Sequence, residues 1–89
     1  MRFNSKEKEV IGKVLFITTQ SIDKESQEAQ FFDEIEKRIA TDQMIVGNYL
    51  HLFFIELKKS LTNDVFSEEE HLVLKEIHRK VLRRINANK

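Results

Sequence analysis

Proline is absent from this chain, and glycine occurs only twice in its 89 residues, at Gly12 and Gly47. These two residue types supply most of the special backbone angles that tight turns require. A sheet protein of this length needs several hairpins, each with its own turn chemistry. Punctuation here must instead come from Ser, Thr, Asn and Asp, the residues that begin helices. With 40% hydrophobic and 34% charged residues, the chain is too apolar for a disordered polymer. The class these features allow is all-α, and the length suits one domain over residues 1–89.

Apolar spacing resolves four helical segments. Asn4 caps the first, with Glu7 three residues on in capping-box position. Val10, Val14 and Ile17 form a stripe flanked by Ile11, Leu15 and Ile22, so this helix is predicted to end near Ile22. Asp23 or Ser26 caps the second segment, whose stripe is Ala29, Phe32, Ile35 and Ile39. Thr41 followed by Asp42 reads as the cap of a third helix over residues 42 to 61, apolar on most sides and hence central. That helix is predicted to run continuously through Gly47; the alternative is a break there with a start at Asn48. Residues 60 to 66, SLTNDVF, are a connector. Ser67, with Glu70 three residues later, caps a fourth helix striped by Leu74, Ile77, Val81 and Ile85. Four helices joined by short connectors predict an antiparallel four-helix bundle.

Lys+Arg and Asp+Glu are 15 each, so no net charge advertises nucleic acid. The charges are nonetheless segregated. Residues 23 to 42 carry seven acids against three bases, and residues 75 to 89 carry six bases against one acid. The stretch DVFSEEEHLVLKEIHRKVLRR, residues 64 to 84, has the acidic start and basic end of a helix that often opens a DNA-binding helix-turn-helix. The helix dipole alone rewards that polarity. After Ile85 only Asn86, Ala87, Asn88 and Lys89 remain, too few for a recognition helix. The stretch is predicted to close a bundle, not to read DNA.

Chemistry is sparse. His71 and His78 are seven residues apart, about 10 Å along a helix, too far to share one metal ion. His51 lies among apolar residues and is expected to be half-buried and hydrogen-bonded. There is no cysteine, no Gly-x-Ser-x-Gly elbow and no glycine-rich phosphate loop. No enzyme, cofactor or metal site is expected. Residues 1 to 9 do not read as a secretory signal, and the apolar region 44 to 57 is interrupted by Asn48, His51 and Glu56. The expected location is cytoplasmic. Among Phe31, Phe32, Tyr49, Phe53, Phe54 and Phe66, most are core; one member of each Phe doublet should be left partly exposed, since neighbours on a helix point about 100° apart.

NYLHLFF (residues 48 to 54) and FSEEEHLVLKEI (residues 66 to 77) resemble the third helix and the start of the fourth in the immunity proteins of pediocin-like, enterocin A-type bacteriocins. In the first half only the order of elements matches. The resemblance implies a cytoplasmic four-helix bundle that catalyses nothing. Its implied action is to bind, from inside the cell, a mannose-type phosphotransferase permease occupied by a bacteriocin. Family members usually continue past the fourth helix into a tail that helps choose the bacteriocin; here specificity would rest on the last two helices and their connector. The expected contact residues are Asn63, Asp64 and Phe66 in the connector and Lys75, Arg79, Lys80, Arg83 and Arg84 on the basic strip. Peripheral contact with an anionic membrane face fits the same strip. The alternative is a helical regulatory or adaptor module for a soluble protein, or a homodimer formed through the Phe53–Phe54 region.

Overall fold

The computed structural model describes residues 2–45 and 47–87. Met1, Val46, Asn88 and Lys89 lie outside the described residues, so the apolar helix position expected at Val46 does too. Four helices are present among the described residues: α1 (Ser5–Gln20), α2 (Gln27–Ala40), α3 (Asn48–Ser60) and α4 (Glu68–Ala87). They pack as an antiparallel bundle in which α1 touches the other three, while α2 touches α1 and α3 but not α4. The ion pairs Glu7–Lys80 and Lys13–Glu70 show α1 and α4 running in opposite directions.

Local capping chemistry sets most helix ends. Asn4 Oδ1 accepts from the Glu7 N–H at 2.8 Å and Glu7 Oε1 accepts from the Asn4 N–H at 2.9 Å, closing the expected capping box. Ser67 and Glu70 repeat the device at α4, at 2.9 and 3.1 Å. At α2, Asp23 and Ser26 both act. Asp23 Oδ1 accepts from the Glu25 N–H to form a turn, and Ser26 Oγ accepts from the Ala29 N–H as the true cap. The first helix stops at Gln20, two residues before the expected Ile22, where Ser21 donates from both its N–H and its hydroxyl to the Thr18 carbonyl. These side chains offer the backbone an alternative to the next helical turn.

The junction of α2 and α3 departs from expectation. Thr41 and Asp42 end α2; they do not begin α3. Asp42 adopts φ +57°, its N–H donates to the Ile39 carbonyl, and the Gln43 N–H donates to the Arg38 carbonyl at 2.7 Å. That pair of bonds is a Schellman stop, with aspartate in the left-handed position usually held by glycine. The helix predicted to run from residue 42 through Gly47 therefore starts only at Asn48. Gly47 sits at φ 58°, ψ −130°, a conformation closed to most L-residues. The continuous-helix reading fails because glycine here is the break, and α3 starts after it without a side-chain cap hydrogen bond.

The apolar stripes meet in one core. Val14, Ile35, Phe53, Leu57, Leu74, Ile77 and Val81 have no exposed surface. Ile45, from the connector after α2, fills a further place. Phe3, ahead of α1, stands edge-on to Phe53 with ring centroids 6.3 Å apart. Of the two Phe doublets, Phe32 and Phe53 are buried while Phe31 and Phe54 are half-buried, as helical geometry requires. His51 is exposed, contrary to its expected half-burial, because it faces away from the Leu50, Phe53 and Leu57 stripe.

Candidate functional site

The eight candidate contact residues do not form one surface. Asn63, Asp64 and Phe66 precede α4, whereas Arg83 and Arg84 lie near its other end, about 24 Å away along the helix. Within the connector, Phe66 is buried and serves the core, so its proposed contact role gives way to packing. Lys13 Nζ lies over its ring at 5.1 Å and also donates to the Val65 carbonyl and the Glu70 carboxylate. Asn63 shapes the connector: its side-chain oxygen accepts from the Val65 N–H, and its carbonyl lies 3.1 Å from His71 Nε2. Asp64 is exposed.

The basic strip also divides. Lys75, Arg79 and Arg83 are exposed on the outer side of α4. Arg79 is hydrogen-bonded to Glu76 one turn back; that bond, more than any other influence, holds the Glu76 carboxyl below its ordinary value and raises the guanidinium's. Lys80 turns inward. Its Nζ lies 2.7 Å from Glu7 Oε1 and 5.7 Å from the centre of the Phe3 ring, and it also donates to the Arg2 carbonyl. Arg84 is half-buried, its Nη2 2.7 Å from Met44 Sδ across the mouth of the α2–α3 connector.

Arg2 joins Lys80, Arg83, Arg84 and Ala87 around a cleft of about 370 Å³. Sequence reading missed Arg2, because its approach to α4 is a tertiary event. It also missed that Glu7, besides capping α1, is buried against Lys80. A signal for Glu7 did exist: it stands three, four and seven residues before Val10, Ile11 and Val14, on their stripe. Arg2, Arg83 and Arg84 have no carboxylate partner among the described residues.

A second cleft, about 420 Å³, opens where the end of α1, the start of α2 and the end of α3 meet. Ile17, Ile22, Phe32, Leu52 and Ile55 line it, and Asn63 reaches its edge. Large apolar side chains are also exposed singly, chiefly Phe16 at 63% and Leu72 at 66%. Phe53 offers no surface to a second copy, and His78 stacks on Phe54 at 4.7 Å. Among the described residues no group of three His, Asp or Glu side chains is placed to hold a metal ion.

Fold and site together define an all-α four-helix bundle with an apolar core and with charged side chains and open clefts at its surface. No helix among the described residues is long and apolar enough to cross a membrane. Comparison with protein-family models, with curated proteins and with solved structures finds no match to this chain.

Proposed function

We propose that this protein is a bacteriocin immunity protein, a non-catalytic bundle that binds a bacteriocin-occupied mannose-type permease from the cytoplasmic side. The observation that carries the reading is the outward row of Lys75, Arg79 and Arg83 on the last helix, on a bundle of the shape the resemblance implies. Contact with Asn63 and Asp64 would require a partner spanning both ends of α4. An affinity capture from detergent-solubilised cells, with and without a panel of pediocin-like bacteriocins, tests the reading. Recovery of the permease only when a bacteriocin is present is the expected result. Replacing Lys75, Arg79 and Arg83 by glutamate should abolish recovery while leaving the far-UV circular dichroism unchanged.

A second reading, an adaptor for a soluble protein or a self-associating module, would place the exposed side chains Phe16 and Leu72 in the contact. Capture of the same soluble protein whether or not bacteriocin is added would replace the immunity reading with this one. A monomer–dimer equilibrium in sedimentation, abolished by Phe16→Ser or Leu72→Ser, would favour self-association.

A further inference from the structure

We propose that the cleft bounded by Arg2, Lys80, Arg83 and Arg84 is a binding site for a phosphate group. The proposal goes beyond the permease reading, because it concerns what one cleft of the isolated protein recognises.

Four cationic side chains from two separate parts of the chain converge on this cleft. Lys80 is balanced by Glu7, but Arg2, Arg83 and Arg84 have no carboxylate partner among the described residues. The helix dipole accounts for cations in the last turn of α4, since it places about half a negative charge there. It does not account for Arg2, which arrives from the opposite end of the chain. The dipole also disfavours an anion, and three guanidinium groups without a carboxylate partner among the described residues outweigh a half charge.

Arg84 is held loosely for a half-buried group. Its Nε is shut off from solvent without an acceptor, and its Nη2 meets only the Met44 thioether. Thioether sulfur is a weak acceptor, and a buried guanidinium N–H without a partner is costly. An oxyanion in the cleft would offer better partners than those the guanidinium now has. Phosphate suits the site better than a carboxylate. A phosphate monoester carries up to two charges and three acceptor oxygens, and guanidinium forks bind such oxygens in pairs. One carboxylate would leave two of the three free cations unbalanced. The cleft, about 370 Å³, falls within the range of small-ligand pockets. Phosphate can come from a soluble monoester or from the monoester headgroup of phosphatidic acid, and the cleft chemistry is the same for both.

The test uses the isolated protein, with no permease or bacteriocin, at low ionic strength. Inorganic phosphate is titrated while the side-chain Nε–H signals of the arginines are followed by NMR, and co-sedimentation is measured with vesicles of phosphatidylcholine with and without phosphatidic acid. Saturable shifts at Arg83 and Arg84 are expected, and Arg83→Gln/Arg84→Gln should weaken phosphate at least about tenfold. Arg2→Gln, which leaves α4 untouched, should weaken it too and serves if the double variant fails to fold. Sedimentation specific to phosphatidic acid alongside the shifts assigns the site to a lipid headgroup; shifts without sedimentation assign it to a soluble phosphate. No response to phosphate, whether or not the vesicles bind, overturns the proposal. So does an equal loss in the charge-matched Lys24→Gln/Lys37→Gln variant, which would make the binding diffuse attraction.

Discussion

Glu7 is only 2% exposed, and its two oxygens are treated unequally. Oε1 accepts from the Asn4 N–H and from Lys80 Nζ, while Oε2 is buried without a partner. Lys80 keeps about a third of its side chain in solvent. This asymmetry predicts unequal costs for removing either partner. Glu7→Gln keeps an acceptor for the cap and frees Lys80 to swing into water, so it should cost about 1–2 kcal/mol. Lys80→Met leaves a carboxylate buried and unpaired, which should cost about 3 kcal/mol or more. The double variant should recover part of the loss, with a coupling of about 1–2 kcal/mol in urea denaturation. Strict additivity of the two losses would show that the pair is not coupled.

At the scale of the element, the caps carry the argument. Glu70 is held below the ordinary carboxyl value of 4.5 first by the Ser67 N–H and then by Lys13. A depressed carboxyl contributes stability above its unfolded value and loses it as pH falls through the folded one. Unfolding measured from pH 6 downward should therefore show a loss beginning near 4.5, and Glu70→Gln, which preserves the cap acceptor, should flatten that limb. The two glycines make opposite predictions. Neither would bring an added methyl within 4 Å of a neighbour, so backbone preference decides. Gly47→Ala forces φ +58° on an L-residue and should cost about 1–3 kcal/mol. Gly12→Ala, inside α1, should stabilise by about 0.5–1 kcal/mol. A Gly47→Ala protein melting at or above wild type would restore the continuous third helix. What was legible in the sequence follows the same division. Asn4, Ser26 and Ser67 act within three residues of themselves, so pattern reading finds them. Asp42 was misread because Thr-Asp serves equally to start a helix or to stop one in the left-handed conformation. The candidate site was less legible still. Lys80 is told apart from Arg79 and Arg83 by contacts from the far end of the chain, chiefly with Glu7, seventy-three residues away, and Arg2 joins Arg83 and Arg84 only through the tertiary fold.

At the scale of the whole molecule, the segment before α1 ties the bundle together. Phe3 lies outside every helix yet is buried, edge-on to Phe53 at the centre of the core and beneath Lys80. Domains of this size have a total stability of roughly 4–13 kcal/mol. Phe53→Ala removes a ring with no exposed surface and should cost about 3–5 kcal/mol, enough to leave the domain marginal. Phe3→Ala should cost less, about 2–3 kcal/mol, because the segment ahead of α1 can lift away and relieve part of the cavity. Its second effect is what distinguishes a latch from ordinary packing. Phe3 adjoins Arg2, so releasing it should withdraw Arg2 from the cleft at the end of α4 while α1 to α4 stay folded. Below its melting temperature, the variant should keep wild-type far-UV circular dichroism. Amide exchange should quicken at residues 3 to 5 and at the exposed end of α4, and not at Leu57 or Leu74. Uniformly faster exchange across all four helices would instead mean that Phe3 supports the core as a whole, with no separable closure of its cationic end.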